Sequence, residues 1–188
     1  IQPDSPEVLN YLGAALLRQG RPEEALPFLR KAVALQPESA EAHFNLGTAL
    51  CNASGGLKEG ITELRTALRL KPDNPEGHYR LGQALLGTGD LTGATSALET
   101  AVSQRPDWAE AYNDLGAVLA QQGRFDAAIP RFQSAIRLKP DYAQAHFNLG
   151  LALAKAGQTE QAIAAFLKAQ EIDPRFVPPI VAAKSGHE

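Results

Sequence analysis

Three histidines, His43, His78 and His146, stand at equivalent points of a repeating pattern, and histidine is a common zinc ligand. A metal needs its ligands about 2 Å from one ion. Equivalent points of successive helical units lie roughly a helix diameter apart, ~10 Å, and the third histidine skips a unit. The spacing therefore predicts half-buried packing residues, with no metal and no cofactor. Gly87-Thr88-Gly89 followed by Gly93 has the composition of a phosphate-binding loop. It falls in a turn between helical stretches with no strand before it, so the required context is missing. Cys51 has no base beside it in sequence and reads as a small apolar filler. Asn52-Ala53-Ser54 is a glycosylation acceptor triplet in an exposed turn, of consequence only in a secreted chain. There is no HExxH, no Gly-x-Ser-x-Gly elbow and no paired-carboxylate cleft. No enzyme is predicted.

These residues are carried by a repeat. Proline returns at residues 3, 37, 72, 106, 140 and 174, at intervals of 34, 35, 34, 34 and 34, each time closing an amphipathic helical stretch. Such a period means stacked supersecondary units, which work through the surface they display. In the first unit Leu9, Leu12, Gly13 and Leu16 fall at i, i+3, i+4 and i+7, one face of a helix. Gly20 supplies a helix stop, Pro22 a helix start, and Ala25, Leu29 and Ala32 the buried stripe of a second helix.

The same places recur down the chain. The eighth holds Gly13, Gly47, Gly82, Gly116 and Gly150; the twentieth holds Ala25, Gly60, Ala94, Ala128 and Ala162. The twenty-fourth holds Leu29, Leu64, Leu98, Phe132 and Phe166, and the twenty-seventh Ala32, Ala67, Ala101, Ala135 and Ala169. Small residues at the eighth and twentieth places let paired helices touch, and larger ones fill the gaps.

This pattern resembles the tetratricopeptide repeat family, with its Leu-Gly, Ala, large apolar and Pro positions at this spacing. The resemblance covers residues 1–174 and implies an all-α fold, an α-solenoid of antiparallel helix pairs stacked into a right-handed superhelix. The expected divisions are the tail of a preceding repeat (1–5), repeats at 6–39, 40–74, 75–108, 109–142 and 143–176, and a short C-terminal cap or tail (177–188). The second repeat carries one extra residue in its turn, Asn52-Ala53-Ser54-Gly55-Gly56, to be absorbed locally. The sequence departs from the family at the fourth place, often Trp, which is Leu9, His43, His78, Tyr112 and His146. The eleventh place, often Tyr, is Leu16, Leu50, Leu85, Leu119 and Leu153.

Composition narrows the partners. A net charge of −3 argues against nucleic acid or an anionic membrane as the partner. No apolar run approaches the ~20 residues that span a bilayer. A single cysteine rules out an intramolecular disulfide framework but leaves the compartment open, cytoplasmic by default and secreted if Asn52 is used. Ile1-Gln2-Pro3 matches Leu35-Gln36-Pro37 and Ile172-Asp173-Pro174, so the chain opens in the tail of an earlier unit; with no methionine at all, a longer parent protein is expected.

In the family the first helix of each repeat lines a concave groove through its second, fifth, sixth, ninth, twelfth and thirteenth places. Carried over, the fifth place gives Asn10, Phe44, Tyr79, Asn113 and Phe147, and the sixth Tyr11, Asn45, Arg80, Asp114 and Asn148. The ninth gives Ala14, Thr48, Gln83, Ala117 and Leu151. The resemblance thus implies a protein or peptide ligand held by Asn10, Phe44, Asn45, Thr48, Tyr79, Arg80, Gln83, Asn113, Asp114, Phe147 and Asn148. Asn45 and Asn148 resemble the asparagines with which some relatives grip a peptide backbone, but Tyr11, Arg80 and Asp114 interrupt that ladder. Of the two-carboxylate clamp of chaperone-binding relatives, only Asn45 and Arg80 have counterparts, so that clamp is not expected. Glu7, Glu41, Glu76 and Glu110 at the second place suit the macrodipole of a first helical turn, as Lys71, Arg105 and Lys139 suit second-helix ends. The alternative role is structural, head-to-tail self-association through incompletely capped ends.

Overall fold

The computed structural model describes residues 5–177. The preceding-unit proline, Pro3, and the expected cap beyond Val177 lie outside the described residues. The described residues form ten helices joined by short turns, and no strand occurs among them. They are α1 (Pro6–Arg18), α2 (Pro22–Leu35), α3 (Ala40–Asn52), α4 (Leu57–Leu70), α5 (Pro75–Gly87), α6 (Leu91–Gln104), α7 (Ala109–Gln121), α8 (Phe125–Leu138), α9 (Ala143–Lys155) and α10 (Thr159–Ile172).

Local chemistry sets where they start and stop. Ser5, Ser39 and Asn74 cap α1, α3 and α5 by accepting from the backbone N–H of Val8, Ala42 and Gly77, which satisfies donors that a helix start leaves unpaired. Glu7, Glu41, Glu76 and Glu110 occupy first turns, as the macrodipole reading expects. Each turn inside a pair contains a glycine at positive φ, from +72° at Gly20 to +81° at Gly89. Side chains rarely adopt that conformation, so glycine is the economical residue there.

The chain divides into two compact units. In the first, α1 pairs with α2, α3 with α4 and α5 with α6. Successive pairs join through α2–α3 and α4–α5, and the first helices also touch, α1 to α3 and α3 to α5. Its core includes Leu16, Ala25, Leu29, Leu46, Ala49 and Leu50. The eighth-place glycines make these pairings close. A Cβ on Gly13 would lie 2.4 Å from Leu29 Cγ, and one on Gly47 would lie 3.0 Å from the Gly60 carbonyl oxygen.

The second unit pairs α7 with α8 and α9 with α10, joined through α8–α9 with α7 also against α9. Here the glycine at the eighth place faces an aromatic ring. Gly116 lies under Phe132 and Gly150 under Phe166, and both rings are almost fully buried. Burying such a side chain contributes roughly 1.5–3 kcal/mol.

Candidate functional site

Three helices of the first unit turn one face each toward a common cavity. From α1 come Ala14, Leu17 and Arg18; from α3 Phe44, Asn45, Thr48 and Asn52; from α5 Glu76 and Arg80. On each helix the residues follow three- and four-residue steps, so each set lies on one helical face. The cavity has a volume of about 310 Å³. A smaller one of about 120 Å³ adjoins it, sharing Thr48, Asn52 and Arg80 and adding Cys51 and Gln83.

Five of the groove residues expected from the sequence, Phe44, Asn45, Thr48, Arg80 and Gln83, therefore meet in one place. The polar floor is fixed from below. Asn10 Nδ2 donates to Glu41 Oε1 at 2.9 Å, and Asn45 Nδ2 donates to Asn10 Oδ1 at 2.8 Å. Asn45 keeps one amide N–H and an acceptor oxygen for other uses. Arg80 is held by Glu76, Nε to Oε1 at 2.9 Å, and by Gln83, Nη1 to Oε1 at 3.3 Å. Its guanidinium carbon lies 5.9 Å from the Tyr79 ring centre. With Arg18, Arg80 and Glu76 on its walls, the cavity carries a net formal charge of about +1. Burial pushes the Cys51 thiol up, so it stays a neutral wall residue rather than a nucleophile.

The remaining expected residues are used differently. Asn10, Asn113 and Tyr79 are buried at 6%, 5% and 8% exposure and are not among the residues lining these two cavities. In the second unit Asn148 Nδ2 donates to Asn113 Oδ1 at 3.0 Å, and Gln144 Nε2 donates to Asn148 Oδ1 at 2.9 Å. Asp114 accepts from Asn113 Nδ2 at 3.4 Å. Phe147 packs 5.4 Å from Phe166 and 5.3 Å from Phe176, ring centre to ring centre. The asparagines are taken up where successive first helices meet, α1 with α3 and α7 with α9, whereas Phe147 is taken up by rings of α10 and of the segment after it.

The chemical candidates also have structural partners. Each fourth-place histidine donates Nε2–H to the carbonyl of the proline closing the preceding repeat. The pairs are His43 with Pro37 at 2.8 Å, His78 with Pro72 at 3.1 Å and His146 with Pro140 at 3.0 Å. His43 alone adds a carboxylate, Glu63 Oε2, at Nδ1. Gly87 ends α5, and Gly89 belongs to the turn before α6.

Leu17 and Arg18 were not distinguished by residue type. They occupy the twelfth and thirteenth places of the first repeat, which the family resemblance assigns to the groove. That register was the available signal.

Family profiles described as Tetratricopeptide repeat match residues 6–49, and residues 79–130 and 113–175. One described as TPR repeat matches residues 50–89. Among solved structures, MamA 41-end from Desulfovibrio magneticus RS-1 is 27% identical with a TM-score of 0.83, over 92% of this chain and 97% of that one. The MamA RS-1 ArsTM double mutant is 28% identical with a TM-score of 0.83, over 92% and 96%. YrrB, described as a TPR protein with an unusual peptide-binding site, is 26% identical with a TM-score of 0.81, over 98% and 93%. No curated protein matches the sequence.

Proposed function

We propose, from the premise that this chain belongs to the tetratricopeptide repeat family, that it is a non-catalytic module holding a peptide or protein segment against α1, α3 and α5. The observation that carries this reading is the convergence of Phe44, Asn45, Thr48 and Arg80 on one cavity. Phe44 offers apolar area, Asn45 an amide suited to a main chain of any sequence, and Arg80 a charge. That mixture suits a peptide better than a purely apolar ligand. The peptide-binding site named for YrrB is consistent with it.

The test begins with a peptide selected from a random displayed library on the wild-type chain. Arg80→Ala and Thr48→Arg should each weaken that peptide about tenfold or more, while far-ultraviolet circular dichroism stays unchanged. A selected peptide indifferent to both variants contradicts the reading.

A second reading, self-association, is favoured by apolar side chains exposed on the first and last helices. Tyr11 and Leu12 of α1 are 65% and 42% exposed, and Ile163 and Leu167 of α10 are 41% and 58% exposed. Contacts that join unlike faces extend without closing unless the rotation closes them. Light scattering over a wide concentration range tests it, and a constant monomer mass rules it out.

A further inference from the structure

A cleft in the second unit lies between α8 and α10 with α9 as its floor, and the equivalent groove over α3 in the first unit is spanned by side-chain pairs. Counting from helix starts, Arg30 of α2 and Gln133 of α8 are both ninth residues, and His43 of α3 and His146 of α9 both fourth. Glu59 and Gln161 are third in α4 and α10, and Glu63 and Ala165 seventh. Over α3, Arg30 reaches Glu59 through two hydrogen bonds of 2.6 and 2.9 Å, and Glu63 contacts His43. One ion pair and one histidine–carboxylate contact thus span this groove. Over α9 neither can form, because two glutamines replace the ion pair and Ala165 ends at its Cβ.

The result is a cleft of about 500 Å³. Leu149 and Leu153 provide an aliphatic floor, Ala164 and Ala165 a low wall, and Arg137 and Lys168 stand among its lining residues. Both cations are exposed. Arg137 Nη2 donates to Ser134 Oγ at 2.6 Å and has no carboxylate partner among the described residues. Lys168 pairs at 2.9 Å with the exposed Glu171, a surface contact that a ligand carboxylate can replace at little cost.

We propose that this cleft is a docking site for an acidic peptide segment, with an aliphatic side chain on Leu149 and Leu153 and a neighbouring carboxylate on Arg137 and Lys168. The volume falls in the ~300–1,000 Å³ range of ligand sites. The cleft is open to solvent, so a small apolar molecule would not gain the burial of roughly 70–90% that such ligands need. A peptide gains contacts beyond the cleft and does not need that enclosure. The site is separate from the cavity over α3 and stands independently of the function proposed there.

The test uses the whole chain and a fluorescein-labelled helical peptide with leucines on one face and glutamates on the other, read by anisotropy. Saturable binding is expected, and a version with lysines in place of glutamates should bind about tenfold more weakly or worse. Ala165→Glu restores the carboxylate that the first unit carries and should abolish binding. Because Ala165 is buried, the exposed pair Arg137→Glu/Lys168→Glu supplies a variant that leaves the packing intact, and it should give the same loss. No saturable binding, equal binding of the lysine version, or full retention by Arg137→Glu/Lys168→Glu overturns the proposal. Saturable binding of dodecanoate by calorimetry with no peptide binding would mark a lipid site and also overturn it.

Discussion

Asn45 Nδ2 donates to Asn10 Oδ1 at 2.8 Å, tying α3 to α1 directly beneath the cavity. The same bond recurs from Asn148 to Asn113 at 3.0 Å. Asn10 and Asn45 are only 6% and 9% exposed, so removing Asn10 leaves the inner N–H of Asn45 without its partner. An unpaired buried polar group costs about 1–3 kcal/mol. Asn10→Ala should lose that much in equilibrium urea unfolding, and Asn10→Ala/Asn45→Ala less than the sum of the singles. Strictly additive losses would show that the bond contributes nothing.

Gly47→Ala should destabilise by about 1–3 kcal/mol through overpacking. Its Cβ would meet Gly60 O and Leu64 N, both at 3.0 Å, and backbone atoms cannot swing aside. Gly20 is different: nothing lies within 4 Å, but φ is +72°. Gly20→Ala should cost about 1–2 kcal/mol by strain alone, and Gly20→Asn distinctly less, because asparagine tolerates that conformation. Thermal melts of the three variants separate the mechanisms. Equal losses for Gly20→Ala and Gly20→Asn would contradict the strain account.

Much of this was legible in advance because it is local and periodic. A glycine every 34 or so residues facing a leucine or phenylalanine sixteen or seventeen places on specifies a helix pair. The groove register likewise pointed to Phe44, Thr48 and Arg80 without any structure. What sequence could not resolve was which groove positions are consumed by contacts between repeats. Asn10 meets Asn45 across 35 residues, and Glu63 meets His43 across 20. Phe147 is occupied by Phe176, a residue beyond the last helix. Each depends on how neighbouring helices cross, a tertiary property that single-repeat periodicity does not encode.

The Arg30–Glu59 pair predicts a small acid dependence. Hydrogen bonds from Arg30, with its charge adding, hold the Glu59 carboxyl below its usual range. A depressed folded-state value means the stabilisation is present above the unfolded carboxylate range and is lost as pH falls through the folded value. Both side chains are about half exposed, at 51% and 45%, so the effect should stay under about 1 kcal/mol and shrink with salt. Urea midpoints of wild type and Glu59→Gln from neutral to acid pH check this. The two curves should converge at low pH, and a constant gap would contradict the linkage.

Cys51 reports on the cavity. Burial pushes its thiol up, which lowers the thiolate fraction at mildly alkaline pH. Iodoacetamide should therefore alkylate it more slowly in the folded chain than in urea-unfolded chain. Because Cys51 lines the smaller cavity beside Thr48 and Arg80, a saturating peptide should slow it further. An unchanged rate would place the peptide elsewhere.

The most direct measurement is an amide chemical-shift map of the labelled chain titrated with the library-selected peptide. The account predicts the largest shifts at Phe44, Asn45, Thr48 and Arg80, with the outer residues Ile163 and Leu167 unmoved. Shifts centred on α1 and α10 surfaces, with those four residues silent, would contradict the groove as the binding site.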